Sequence, residues 1–189
     1  MEELKKLEEI TLPDSRNTHY VLINRQTGQQ RKYRLEDLHG VVKSIELNED
    51  VPEDVRSQFN VARNISLYSW FCYPFHNIAD MKTFSTLEMA LRVKLKKQNT
   101  RTSLFHLIGI SVKQGLIKDK HFSHIRAKLT NLESTCYVES LPKLISSLRN
   151  NWAHGSTMLY DASAMNLRIC ADFINQIFDK TKNNPEMKE

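Results

Sequence analysis

Apolar residues fall into runs whose spacing changes along the chain, and the changes mark out elements. Near the start, HYVLIN and RKYRL flank RQTGQQ, with Gly28 offering a turn, which predicts a short β-hairpin. In LEDLHGVVKSIEL, Leu35, Leu38, Val42 and Ile45 recur three and four apart, so residues 36–46 predict a short helix. NEDVPEDV reads as a helix start: Asp50 can cap, Pro52 suits a first turn, and Glu53 and Asp54 complement the positive helix end. Beyond it Val61, Ile65, Tyr68, Cys72, Phe75 and Ala79 step by four and three, which predicts one buried helical face. Pro74 lies inside that pattern and should kink or split the helix, because it lacks a backbone donor and crowds the preceding turn.

The stripe resumes with Phe84, Leu87, Leu91 and Leu95, where Glu88 and Arg92 are spaced for an ion pair one turn apart. LKKQNTR ends it. A further helix is predicted over residues 102–114, closed by Gly115. HFSHIRAKLTNL has no decided period. CYVESLPKLISSL reads as helical from about Pro142. A last helix carries Leu167, Cys170, Ala171, Ile174, Ile177 and Phe178 on one side. The expected architecture is all-α: a compact bundle of four to five helices with a small N-terminal β-hairpin appendage. Residues 1–48 form the N-terminal segment, 49–182 the bundle, and 183–189 a frayed tail.

The chain has 189 residues, enough to bury roughly 70% of its unfolded surface in one domain. No apolar run is long enough to span a membrane, and the start, MEELKKLEEI, lacks an apolar signal-peptide centre. A soluble, cytoplasmic protein with no membrane partner is expected. Cys72, Cys136 and Cys170 are scattered and odd in number, which suits a reducing compartment and buried thiols. The net charge of +5 permits a polyanionic partner without requiring one.

Candidate chemistry concentrates in LRNNWAHGS, between the last two predicted helices. Arginine keeps its charge and grips phosphate with a planar fork, and histidine moves protons near neutral pH. Arg149 and His154 are five residues apart, which on an unbroken helix separates them by about 140°. They converge only if the helix ends between them or if two copies meet, and Asn150, Asn151 and Gly155 offer a break. Asn150 could orient a neighbour or a phosphate oxygen. The plainer reading is that cations favour a helix C-terminus. Arg92, Lys94, Lys96, Lys97 and Arg101 form a basic run that can serve as an RNA-backbone track or as an ordinary solvated face. His121 and His124 have metal-compatible spacing but no further ligand nearby, so no metal is expected. His76 is read as a satisfied interior histidine, and Trp70, Tyr73 and Phe75 as packing residues.

These residues resemble the signature of HEPN domains (higher eukaryotes and prokaryotes nucleotide-binding): an Arg followed four to six residues later by His, often with Asn after the Arg. Arg149, Asn150 and His154 fill those positions. The segments ISLYSWFCYPFHNIADMKTFSTLEMALRVKLKK and ICADFINQIF are similar to helices of bacterial members, so the resemblance covers about residues 50–180. It implies an all-helical bundle that homodimerises, two motifs composing a metal-independent endoribonuclease site without a cofactor, and a role in phage defence or as a toxin with an antitoxin partner. His154 would then be the acid/base group, Arg149 the phosphate holder, and Asn150 a support for the geometry. In one toxin branch a Tyr stands two residues after the His; here that position is Ser156, with Tyr160 the next Tyr. The alternative is a non-catalytic HEPN-like module that binds RNA, a nucleotide or a protein.

Overall fold

The computed structural model describes residues 3–153, 159, 161 and 163–180, with the backbone alone for 151–153. The described part is mostly helical, with one two-stranded antiparallel hairpin near the N-terminus, β1 (Val21–Ile23) and β2 (Gln30–Lys32). Val21 pairs with Lys32 and Ile23 with Gln30. The turn is built as its residues suggest: Gly28 takes φ +71°, and the Asn24 Oδ1 accepts the amides of Gln26 and Thr27.

Helices α1 (Leu35–Lys43), α2 (Glu53–Tyr68), α3 (Phe75–Lys94), α4 (Leu104–Lys113), the four-residue α5 (Ser123–Arg126), α6 (Cys136–Ala153) and α7 (Ser163–Phe178) follow. Five of them have ten or more residues, the upper end of the expected count. Pro74 does split the long apolar segment, standing immediately before α3. The central helix is α3, packed against α2, α4, α6 and α7. Phe84, Leu87 and Leu91 meet Phe59 of α2, Leu107 and Ile108 of α4, Leu141 and Ile145 of α6, and Leu167, Phe173 and Ile174 of α7 in one core. Thr83 and Thr86 are also buried on α3, and each hydroxyl donates to a carbonyl one turn earlier.

A smaller cluster, Leu38, Val42 and Trp70 with Tyr33 and Phe71, seats the hairpin and α1 on the end of α2. The segment before the hairpin is tied to the same corner. Asn17 donates to the carbonyls of Ser69 and Trp70, and the Asp14 carboxylate accepts the Tyr73 amide. The Arg16 guanidinium, helped by that amide, holds the Asp14 carboxyl well below the usual carboxylate range. The segment drawn off at residue 48 is thus packed onto the bundle, and Ile45 belongs to the main core.

Three expectations need correction. The stripe Val61, Ile65, Tyr68, Cys72, Phe75 and Ala79 is not the buried face: Val61, Tyr68 and Phe75 are exposed, and only Ala79 is fully buried. The face of α2 turned inward is Val55, Phe59, Ala62 and Ser66. Small residues let α2 approach α3, and they register weakly in a count of large apolar side chains. Phe75 therefore does not pack as Trp70 and Tyr73 do. Finally, α6 starts at Cys136 and carries Pro142 inside it. Its first turn is satisfied by Asp119, whose carboxylate accepts the amides of Tyr137 and Val138 at 3.1 and 2.9 Å.

Candidate functional site

Arg149 and Asn150 stand on the last turns of α6, both exposed. Preceding residues on the same helix mark its buried face. Val138, Leu141 and Ile145 point into the core, and Leu148 packs half-buried against it. Arg149, four residues after Ile145, stays within about 40° of it on the helix period, yet it is exposed, so it lies beyond the packed part of α6 rather than on its opposite face. Its only hydrogen-bond partner among the described residues is the Asn150 Oδ1, at a long 3.5 Å. No carboxylate among the described residues pairs with it. An unpaired guanidinium beside an amide is a competent phosphate grip.

The expected break at Asn150 and Asn151 is absent, because α6 stays helical through Ala153. Asparagine is only mildly unfavourable inside a helix, and the packing of Ile145 and Leu148 holds the segment in line. His154, Gly155, Ser156 and Tyr160 lie outside the described residues, as does the Trp152 side chain.

The basic run divides on inspection. Arg92 is spent on structure. Its guanidinium pairs with Glu88 at 2.6 Å and donates to the carbonyls of Thr100 and Thr102 at 2.8 and 2.9 Å. The Glu88–Arg92 spacing thus gives the pair it predicts, and the same cation clasps the α3–α4 connection. The Lys94 ammonium lies over the Phe178 ring, 5.7 Å from its centroid. Lys96 has φ +54° and closes α3, with the Lys97 amide reaching the Arg92 carbonyl at 2.9 Å. Arg101 differs. It lies on the rim of a 640 Å³ hollow shared by α4 and α6, with Phe105, His106, Gly109, Lys113 and Pro142.

Other predicted residues have structural surroundings. His76 is buried, its Nδ1 2.6 Å from the Ser163 hydroxyl, which lies 2.9 Å from that of Ser66. Burial pulls its pKa down to about 4. The His124 ring packs edge-on to Phe122 and Tyr137, and no group of three potential metal ligands gathers among the described residues. Cys170 is buried, and burial pushes its thiol pKa up. Cys136 is exposed instead.

One group escaped sequence reasoning. Asp80 of α3 is fully buried, and burial pushes its pKa up to about 7. No side chain meets its carboxyl oxygens in good hydrogen-bond geometry among the described residues; the Asn166 amide of α7 is near enough to offset part of the rise but is itself not well paired. The only signal was an acid four residues before Phe84 and seven before Leu87, on a helix face otherwise apolar.

The described fold and site therefore define an α-helical bundle with a hairpin docked on one corner and an unpaired Arg–Asn set at the end of α6. No described helix is long and apolar enough to cross a membrane. Compared with protein-family models, curated proteins and solved structures, the chain finds no match.

Proposed function

We propose that the protein is a metal-independent endoribonuclease of a prokaryotic defence or toxin–antitoxin type, its site composed by two copies of the Arg149, Asn150 and His154 motif across a homodimer. The observation that carries the reading is Arg149. It is exposed, free of any carboxylate among the described residues, and adjacent to Asn150 at the end of the helix that leads to His154. An arginine placed only to complement a helix C-terminus needs no asparagine beside it and no histidine after it.

In this reading the 2′-hydroxyl of the substrate attacks the neighbouring phosphorus, and the bond to the 5′-oxygen breaks. The product ends are a 2′,3′-cyclic phosphate and a 5′-hydroxyl. His154 takes the proton from the nucleophile or returns one to the leaving oxygen, help worth about 10²–10⁴-fold. Arg149 offsets the charge that builds on the phosphoryl oxygens, and Asn150 holds the guanidinium or an oxygen in place.

The test is cleavage of single-stranded RNA in EDTA by the wild type and by His154→Ala, with the product ends identified. Cutting with cyclic-phosphate ends that disappears in a folded His154→Ala protein supports the reading; equal cutting by both sinks it. Sedimentation that finds only monomer at micromolar concentration removes the composite site.

A second reading is a non-catalytic binding or assembly module. It draws on the apolar side chains that α2 and α3 leave exposed: Val61, Tyr68, Phe75, Ile78 and Met81. It predicts association with RNA, a nucleotide or a protein without turnover.

A further inference from the structure

We propose that the hollow between α4 and α6 is the seat of a single-stranded RNA segment delivered to Arg149. The occupant rests on the ribonuclease reading; the groove itself rests on geometry, charge and an exposed ring.

The groove points at the site. Its lining runs from Arg101, just before α4, and Phe105 at one end to Lys113 at the other, and α6 contributes Pro142. The neighbouring hollow joins the other end of α4, at Val112 and Gly115, to the start of α6, at Thr135 and Val138. The two helices are therefore antiparallel, and later residues of α6 approach the Arg101 end. Arg149 follows Pro142 by seven residues, two helical turns. It shares the Pro142 face to within about 20° and lies roughly 10 Å further along the axis. A strand lying in the groove is thus led to Arg149.

The charge suits a polyanion. The lining holds Arg101, Lys113 and His106 and no carboxylate. Neither Arg101 nor Lys113 has an ion-pair partner among the described residues. The neighbouring hollow shares Lys113 and sets Lys118 beside Glu133 and Glu139, with Glu133 already paired to Lys120 at 2.7 Å, so its charges balance and the cationic excess lies on the Arg101 side.

An aromatic platform stands in the same place. Phe105 is 47% exposed, and the His106 ring lies edge-on to it, centroids 5.5 Å apart. The Ser103 hydroxyl holds the His106 Nδ1 at 2.8 Å, which fixes the ring without covering Phe105. An exposed ring flanked by unpaired cations is the arrangement that single strands use, bases stacked and phosphates neutralised. Between them Gly109 leaves the floor open, and a Cβ added there would meet nothing within 4 Å.

The experiment is fluorescence anisotropy of the full chain with a labelled, 2′-O-methylated single-stranded oligouridylate, a probe that has no nucleophile and cannot be cut. The wild type should bind. Gly109→Glu, which places a carboxylate in open space, should weaken binding at least tenfold, while Gly109→Ala should not. Phe105→Ala should lose about tenfold and Phe105→Tyr should keep affinity. Arg101→Gln with Lys113→Gln should weaken binding and flatten its dependence on the logarithm of salt concentration by about 1.4, the share of two phosphates on a single strand. Unchanged melting by circular dichroism keeps each comparison valid, and the Arg101→Gln with Lys113→Gln protein, read by its affinity and salt slope, carries the test if Gly109→Glu or Phe105→Ala unfolds. A wild type that ignores the probe, or Gly109→Glu and Phe105→Ala proteins that bind it as the wild type does, overturns the proposal and leaves the groove to a protein. Cleavage of unmodified RNA, read in parallel, separates the two claims. Binding without cutting removes the ribonuclease and keeps the groove; cutting with unchanged probe binding in the variants does the reverse.

Discussion

The Asp119 carboxylate accepts the amide of Val138 at 2.9 Å and that of Tyr137 at 3.1 Å, so α6 is capped by a residue from a separate turn. Asp119 is almost fully buried and also receives the Ser134 hydroxyl at 2.8 Å. The helix that presents Arg149 is therefore anchored at its far end by one carboxylate. Asp119→Ala should cost about 1–3 kcal/mol, because it strands buried amides. Urea unfolding measures the loss, and hydrogen exchange should locate it in the first turn of α6.

Arg149 has no structural partner beyond Asn150, so replacing it should leave stability alone. Arg149→Lys keeps the charge and loses the planar fork. On the ribonuclease reading, cleavage should fall at least tenfold with a melting temperature within a degree or two of wild type. Full activity in that variant would limit Arg149 to a point charge.

Asp80 and His76 give stability a pH dependence whose parts oppose. The ordinary carboxyl titrates near 3.8, and folding raises Asp80 to about 7. Between those values the folded chain holds a proton that the unfolded chain has lost, so stability falls as pH rises through the window. His76 titrates at about 4 when folded and 6.5 when not. There the unfolded chain holds the extra proton, so stability rises with pH up to 6.5. Asp80→Asn should remove the falling part, leaving a rise to about pH 6.5 and then a plateau. Above about pH 7 it should be more stable than the wild type by on the order of 4 kcal/mol. Urea titrations across pH 4 to 8 check both the slope and its sign.

Lys96 sits in the left-handed region at the end of α3, where a side chain is strained and glycine is not. Lys96→Gly should stabilise the protein by about 0.5–1 kcal/mol, read as a shift of the thermal midpoint, and leave the RNA comparisons above unchanged.

Much of the bundle was legible because its signals are local. The glycine-bearing turn between two short apolar runs formed a hairpin, Pro74 split a helix, and the stripe Leu167, Cys170, Ala171, Ile174, Ile177 and Phe178 is buried as its spacing predicts. What failed was decided at a distance. The inward face of α2 is chosen by how closely Ala62 and Ser66 let it approach α3, which a tally of large apolar residues inverts. The start of α6 depends on Asp119, well upstream of it. Asp80 reads as a surface acid until the packing of α3 on α7 is known. At the site, the helix period turns Asn150 off the buried stripe, but it would keep Arg149 beside Ile145; Arg149 is exposed because it lies past the packed part of α6, which no local spacing shows. Asn150 and Asn151 do not break α6, because asparagine tolerates either state and packing decides.

Arg92 was grouped with its basic neighbours on composition, yet its guanidinium staples together the carbonyls of a connection that has no glycine of its own. A mutational scan that scores lost activity would rank Arg92 beside Arg101 and assign both to the ligand. The two would part company on heating: one variant melts early, the other keeps its shape and loses only its grip.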